Sequence, residues 1–171
     1  ESLTRQSRDP EALVELDKVD AELAARAHGF SLQAAHALSK RAFVMAFRGD
    51  FDAAVAVEVD VSEEESVARM VETAVESFGG LDVLHNNATD SSLNAVDTDI
   101  VTLDMAVFDR LVAVNLKGQF LGCKHAIPYM LARGGGSIVN TASIDGFVGR
   151  GVRAAYGASK AGVVLLTKSV A

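Results

Sequence analysis

The sequence has few of the residues that mark exported, membrane-bound or nucleic-acid-binding proteins. Cys123 is its only cysteine, so no intrachain disulfide can form, which favours a protein of the reducing cytoplasm. No apolar run approaches the length of a membrane span, and the N-terminus has no basic segment followed by an apolar one. The net charge of -7 leaves no basic stripe that would neutralise the phosphates of nucleic acid. The expected partner is therefore a small molecule, with neither nucleic acid nor membrane involved.

Metal ligands are also scarce and scattered. The four histidines lie without metal-ligand spacing, so no metal site is expected; they are His28, His36, His85 and His125. Cys123 sits in the apolar segment FLGCKHAIPYML and is expected to pack in the core rather than act as a nucleophile. A chain of 171 residues with 49% hydrophobic content is expected to form one domain.

Predicted strands and helices alternate along the chain. Ser62 and Glu65 form a capping box, and apolar residues then recur at helical spacing until Gly79-Gly80 ends the run. Strands are predicted over residues 81–85 and 137–141, helices over 108–116 and 119–131, and a polar loop with one helical turn over 89–105. This order predicts an α/β fold with a doubly wound parallel sheet, whose ligand site lies at the carboxyl ends of the strands.

The string AAYGASKAGV near residue 160 carries the strongest chemical signal. If residues 156–162 open a helix, Tyr156 and Lys160 lie one turn apart on one face. A nearby ammonium favours the anionic phenol and lowers the pKa of the tyrosine, which makes it a usable acid/base near neutral pH. Ser143 follows the strand at 137–141, where its hydroxyl would hold a substrate oxygen against the phenol. Because Tyr-x-x-x-Lys also arises by chance, its context decides the interpretation.

That context resembles the short-chain dehydrogenase/reductase family over residues 53 to 171. Four strings carry the resemblance in order: AVEVDVSEEESV at 56–67, GGLDVLHNNA at 79–88, FDRLVAVNLKG at 108–118 and GGGSIVNTASIDG at 134–146. The resemblance implies a Rossmann-like domain that transfers a hydride between NAD or NADP and a secondary alcohol or ketone.

The resemblance also implies a role for each matched residue. Tyr156 would be the catalytic acid/base, and Lys160 would lower its pKa and bind the nicotinamide ribose. Ser143 would orient the carbonyl or alcohol, and Asn115 would hold a water that links Lys160 to solvent. Taken alone, Asn115 could equally be a helix residue that bonds a neighbouring backbone.

A second set of residues is implied to bind the cofactor. Asp60 and Val61 would contact the adenine, and Asn87 and Ala88 would lie along the cofactor. Without the resemblance, Asp60 could instead be a capping or turn carboxylate. The complete implied cofactor set is Asp60, Val61, Asn87, Ala88, Tyr156 and Lys160.

Several features depart from the family pattern. The family's turn Thr-Gly-x-x-x-Gly-x-Gly, which binds pyrophosphate, is absent. Residues 1–30 are atypical, with a helix predicted from Asp9-Pro10-Glu11 where the family has a strand. The distance from Phe47 to Asp60 is too short for a crossover helix. Thr89 replaces a glycine of the signature. Arg48 lies where NAD enzymes carry an acid, so it is either a contact to a 2′-phosphate or a solvated surface arginine after a strand.

These departures leave three hypotheses open. The chain is an active oxidoreductase, a truncated or catalytically inactive member of the family, or a non-enzymatic nucleotide-binding or interaction module that reuses the fold. The sequence ends within the Tyr/Lys helix, so it is expected to represent a partial single domain, residues 1–171. In a complete form the resemblance implies a homodimer or homotetramer packed through the helices at 119–131 and 156 onward.

Overall fold

The computed structural model describes residues 42–47 and 54–171, all within one compact unit, His36–Ala171. The predicted N-terminal helix, the atypical segment 1–30 and Arg48 lie outside the described residues. The described strands are β1 (Ala42–Phe47), β2 (Ala54–Val59), β3 (Val83–Asn86) and β4 (Ser137–Asn140). The α-helices are α1 (Glu64–Phe78), α2 (Met105–Val112), α3 (Gly118–Ala132) and α4 (Ala154–Ser169).

Strands β3 and β4 pair in parallel, as the alternation of strands and helices predicts. Leu84 lies opposite Ile138 in this pair, and both pack with Ala126 and Met130 of α3. Beyond the strands, the N–H of Thr141 donates to the carbonyl of Asn86 at 2.9 Å. The carboxyl ends of the two strands therefore meet at one edge, where the ligand site was expected.

Strands β1 and β2 pair antiparallel, which differs from the predicted parallel order. Ala42 lies opposite Val59, and Phe47 lies opposite Ala54. Only six residues, 48–53, separate the two strands, whereas a parallel crossover with its helix needs roughly a dozen. The short connection thus forces the chain to return alongside itself.

Helix α1 forms where the apolar spacing predicts it, but the predicted capping box does not. The N-cap is Glu63, whose side chain makes no capping bond, and the helix ends at Gly79 with φ 75°. Ser62 instead donates its N–H and hydroxyl to the carboxylate of Asp60, at 3.0 and 2.7 Å. The helix begins one residue later than the capping box requires, and the hydroxyl oxygen of Ser62 accepts a side-chain N–H of Arg110 at 3.3 Å. The buried face of α1 joins Val59 and Leu121 in the main core.

The predicted gap between the helices at 108–116 and 119–131 is absent. Helix α2 continues through a π-helical segment, Ala113–Lys117, directly into α3. The N–H of Gly118 donates to the carbonyl of Ala113, five residues earlier, which widens this turn. Val114 and Asn115 within the segment are buried.

Cys123 on α3 is a buried core residue, as predicted. Its side chain is 2% exposed and lies 3.6 Å from the amide nitrogen of Asn86. Burial raises the pKa of the thiol, so the neutral form is favoured over the reactive thiolate. Among the described residues, no helix has the length and apolar character to cross a membrane, and no group of three or more His, Cys, Asp or Glu is placed to hold a metal ion.

Candidate active site

Tyr156 and Lys160 lie on the first two turns of α4, one turn apart as predicted. The ammonium nitrogen of Lys160 is 5.8 Å from the centre of the Tyr156 ring. Lys160 is only 1% exposed, whereas Tyr156 is half-buried. The structure therefore brings a buried cation and a partly accessible phenol together on one helix face.

A backbone carbonyl holds the buried ammonium. Lys160 Nζ donates to the carbonyl oxygen of Thr141 at 2.7 Å, just beyond β4. Gln119 Nε2 donates to the same oxygen at 3.3 Å. Removal from water lowers the pKa of Lys160, because burial disfavours its charged form. Since the acceptor is a neutral carbonyl, the positive charge of Lys160 is not cancelled by this bond.

Ser143 begins a short 3-10 turn, Ile144–Gly146, that packs directly on α4. Its hydroxyl oxygen accepts the N–H of Asp145 at 3.2 Å. A Cβ on Gly146 would lie 2.8 Å from the carbonyl carbon and oxygen of Lys160, and a Cβ on Gly157 would lie 3.1 Å from the carbonyl oxygen of Asp145. Two glycines thus let the turn that carries Ser143 lie against the helix that carries Tyr156 and Lys160.

Replacing Gly146 with Ala is expected to destabilise the chain by about 1–3 kcal/mol, the usual cost of overpacking. The added methyl would meet backbone atoms of α4, which cannot rotate away as a side chain does. Urea unfolding followed by circular dichroism measures the change. Gly149→Ala is the matched control, because nothing lies within 4 Å of a Cβ there. Equal stability of the two variants would contradict the close packing of turn and helix.

Asn115 lies at the centre of a buried hydrogen-bond network. Its side-chain oxygen accepts from the hydroxyl of Thr89 at 3.0 Å and from the N–H of Asp90 at 3.2 Å. Its amide nitrogen donates to the hydroxyl of Ser159, the neighbour of Lys160, at 3.3 Å. Asn115 therefore ties the segment after β3 to α4. Thr89, which stands in place of a signature glycine, supplies one of these bonds.

The predicted adenine contacts lie at the end of β2. The carboxylate of Asp60 accepts from Ser62, so it forms part of the turn that leads into α1. Val61 is 9% exposed and packs in the main core, where a Cβ on Gly118 would lie 3.1 Å from it. These two residues directly follow β2, which pairs with β1 in a sheet separate from that of β3 and β4, and Val61 is mostly enclosed by protein.

The predicted contacts along the cofactor lie at the end of β3. Asn87 is exposed, and its side-chain oxygen accepts from the hydroxyl of Thr141 at 2.9 Å. Ala88 is partly buried against the main core. Asn87 is thus joined to Thr141, whose carbonyl holds Lys160, so the structure places it in the same cluster as Tyr156 and Lys160.

Two further residues meet at the start of α4 and were not predicted from the sequence. Asp97 is 2% exposed, and its carboxylate accepts the N–H groups of Ala155 and Tyr156 at 3.2 and 2.8 Å. The guanidinium carbon of Arg153 lies 4.3 Å from the centre of the Tyr156 ring. Asp97 lies far from α4 in sequence, so no local pattern reveals the contact. A carboxylate within a polar loop is usually solvated, and this one is buried.

A cavity of about 330 Å³ lies between the turn at 145–150 and α4. Its helix wall is formed by Ala154, Gly157, Ala158 and Ala161, which share one helix face. Tyr156 and Lys160 do not line it. The cavity is therefore separate from the Tyr/Lys pair, although Arg153 contacts both.

Comparison with known proteins identifies the class to which this fold and site belong. The family model described as short chain dehydrogenase matches residues 23–171. The chain therefore belongs to the short-chain dehydrogenase family. The predicted doubly wound, Rossmann-like fold class is also confirmed, because the solved structures similar to this chain have that fold.

Individual relatives are similar over about two thirds of the chain. The 2-(R)-hydroxypropyl-CoM dehydrogenase of Xanthobacter autotrophicus is 42% identical over 120 residues, which are 70% of this chain and 48% of that protein. The trans-4-hydroxycyclohexanecarboxylate dehydrogenase of Sinomonas cyclohexanicum is 46% identical over 120 residues, 70% of this chain and 44% of that protein. The structure of NAD+-bound xylitol dehydrogenase matches with a TM-score of 0.62 and 34% identity, covering 66% of this chain and 42% of that one. The chain thus spans less than half the length of these relatives.

Proposed function

We propose that this chain carries the catalytic part of an oxidoreductase that moves a hydride between NAD or NADP and a secondary alcohol or ketone. The buried Lys160 ammonium beside the Tyr156 ring, with the Ser143 turn packed on the same helix, carries the proposal. Membership of the dehydrogenase family supports it. An inactive or non-enzymatic role is less favoured, because nothing in the site displaces these side chains from one another.

The residues present fit a nicotinamide cofactor. The charge of Lys160 is bonded only to a neutral carbonyl, so it remains able to attract the hydroxyl oxygens of a cofactor ribose. Asn87 and Ala88 follow β3 at the same sheet edge, where ligands of doubly wound sheets bind. Asp60 and Val61 directly follow β2 and are proposed to face the adenine. When bound, the cofactor supplies or accepts the hydride.

The protein's own side chains handle the proton. In alcohol oxidation the phenol oxygen of Tyr156 takes the hydroxyl proton as the substrate C–H bond breaks, and in ketone reduction it returns that proton. The ammonium of Lys160 lies 5.8 Å from the centre of the Tyr156 ring, and we propose that its charge offsets the negative charge that develops at the reacting oxygen atoms. The hydroxyl of Ser143 holds the substrate oxygen. We propose that Asn115, which bonds the neighbour of Lys160, Ser159, holds a water that links Lys160 to solvent.

The relatives indicate the kind of substrate. Their names specify a hydroxypropyl group, a hydroxycyclohexanecarboxylate and xylitol, all of which carry hydroxyl groups. We infer a small alcohol or ketone substrate for this chain. Turnover assayed with a panel of such compounds tests this inference, and activity confined to another chemical class would contradict it.

Cofactor binding is the first test of the proposal. The purified chain is titrated with NADH and with NADPH, and the fluorescence of the reduced nicotinamide is followed. Saturable binding is expected, with affinity at least tenfold lower in Lys160→Ala, since a buried charge contact to a ligand is worth more than 1.4 kcal/mol. The ratio of the two affinities decides between the cofactors. Absence of binding by either cofactor would sink the proposal for this chain and favour an inactive member.

We also propose that the protein is cytoplasmic and that its complete form is a homodimer or homotetramer. Apolar side chains are exposed on α3 and α4, and such exposure is typical of surfaces that bind another chain. They include Phe120, Leu131 and Leu165, which are 54%, 71% and 62% exposed. Sedimentation velocity is expected to show a dimer or tetramer. A monomer at micromolar concentration would contradict the oligomer.

A further inference from the structure

The residue that precedes helix α4 does not cap the helix with its side chain. Its N-cap is Arg153, whose side chain makes no capping bond. The first N–H groups of a helix lack partners within it, and they form the positive end of the helix dipole. The missing acceptor comes instead from Asp97, which lies in the segment between β3 and α2.

Asp97 forms a hydrogen bond with the backbone of Tyr156, the proposed acid/base. One carboxylate oxygen accepts the N–H of Tyr156 at 2.8 Å, and the other accepts the N–H of Ala155 at 3.2 Å. Its carbonyl oxygen also accepts the N–H of Arg153 at 3.1 Å. Charge-assisted bonds of this kind are short and strong, particularly where water is excluded. Three backbone N–H groups at the start of α4, those of Arg153, Ala155 and Tyr156, are therefore fixed to one buried residue.

Arg153 extends this contact to the phenol and to the Ser143 turn. Its backbone has φ 65°, and it is the only non-glycine residue with a positive φ in the described part of the chain. Its guanidinium lies 4.3 Å from the Tyr156 ring centre, an arrangement that is attractive for a cation over an aromatic face. The same group bonds the side-chain oxygen of Asn94 at 3.2 Å and the Asp145 carboxylate at 3.3 Å. Asp145 belongs to the turn that Ser143 begins.

We propose that Asp97 and Arg153 are positioning residues that fix the Tyr156 phenol relative to Ser143. Asp97 fixes the backbone of Tyr156, and Arg153 fixes its ring. The effect on turnover rests on the proposed function, whereas the effect on Tyr156 itself does not. Such positioning has a large effect, because a misplacement of 1 Å at a reacting group can reduce turnover about a hundredfold.

The test uses the fact that the chain has two tyrosines and no tryptophan. Labelling with ¹⁵N-tyrosine gives two backbone amide signals, and Tyr129→Phe identifies the one from Tyr156. Asp97→Asn keeps the side-chain shape but replaces one acceptor oxygen with an NH₂ donor. We expect the Tyr156 signal to move while the Tyr129 signal stays in place. In a Tyr129→Phe background, nitration of Tyr156 by tetranitromethane is expected to become severalfold faster.

Asp99→Asn is the matched control. Asp99 lies two residues away, is exposed, and caps its own turn by accepting the N–H groups of Val101 and Thr102. This variant is expected to leave both Tyr156 readouts unchanged. Arg153→Gly, which accepts φ 65° without strain, is expected to speed nitration, and Arg153→Lys is expected to restore part of the protection because it keeps the charge.

Turnover provides the functional readout. In Asp97→Asn, kcat is expected to fall by up to about a hundredfold, while the KM for cofactor and the affinity for NADH stay at wild-type values. A lower melting temperature with unchanged kcat and unchanged nitration would overturn the proposal and leave Asp97 as a simple helix cap. If the wild-type chain neither binds cofactor nor turns over, the proposed function fails. The amide shift and the nitration rate then still decide whether Asp97 and Arg153 position Tyr156.

Discussion

Tyr156→Phe is expected to reduce turnover by a factor of about 10² to 10⁴, the usual contribution of a positioned general acid/base. The substitution removes only the phenol oxygen, so the ring still packs beneath the Arg153 guanidinium. Binding of NADH is expected to weaken far less than turnover, because Lys160 stays in place and only one hydroxyl of the cofactor-binding set is lost. Initial rates and the fluorescence titration, measured on the same preparation, separate the two effects.

Tyr129→Phe is the control for this substitution. Tyr129 lies on α3, is 37% exposed, and is the only other tyrosine. Its loss is expected to leave turnover unchanged. Turnover in Tyr156→Phe equal to that of the wild type would show that another group transfers the proton.

Lys160→Met is expected to change stability and activity in opposite directions. Methionine fills a similar volume without a charge, so the cost of burying the ammonium disappears. The carbonyl of Thr141 keeps a hydrogen bond from Gln119, so no acceptor is left without a partner. At pH 7 the variant is expected to be more stable to urea than the wild type. It is also expected to lose cofactor affinity and turnover.

The pH dependence of this difference identifies its cause. Burial lowers the pKa of Lys160 in the folded chain below its ordinary value of 10.5. Between the folded and unfolded pKa the unfolded chain binds more protons, so rising pH stabilises the folded wild type. The destabilisation caused by the ammonium is complete below the folded pKa and is lost as pH rises toward 10.5. The stability advantage of Lys160→Met is therefore expected to shrink across that range.

Lys168→Met is the comparison for the lysine experiment. Lys168 is exposed near the end of the same helix, so its charge remains hydrated. Its replacement is expected to leave both stability at pH 7 and its pH dependence unchanged. A Lys160→Met chain less stable than the wild type at every pH would show that the ammonium bond to Thr141 outweighs the cost of burial.

The sequence predicts those parts of the fold and site that depend on regular spacing. The apolar period of α1, the parallel pairing of β3 with β4, and the one-turn separation of Tyr156 and Lys160 all follow from helix and strand geometry. The burial of Cys123 follows from its apolar surroundings. These features depend on residues that lie close together in the sequence, or on motifs typical of the short-chain dehydrogenase family.

Features that depend on distant partners were missed. The capping box at Ser62 fails because the helix begins at Glu64 and the Ser62 oxygen accepts from Arg110, although Ser62 and Glu65 have the right spacing. The role of Asp97 depends on a helix that begins more than fifty residues later, so composition assigns it to a solvated loop. The roles of all the predicted site residues stay predictions: Asp60, Val61, Asn87, Ala88, Asn115, Ser143, Tyr156 and Lys160.

Because of the π-helical turn at Ala113–Lys117, the packing of α3 depends on the number of residues in this turn as well as on their identity. The segment holds one residue more than an α-helical path would, and this surplus sets the rotation of α3 relative to α2. Each residue of an α-helix turns the chain by about 100°, so one deletion would rotate Asn115 or Leu121 out of its buried place. Shortening this helix by one residue is therefore expected to disturb the core more than exchanging a side chain on its exposed face.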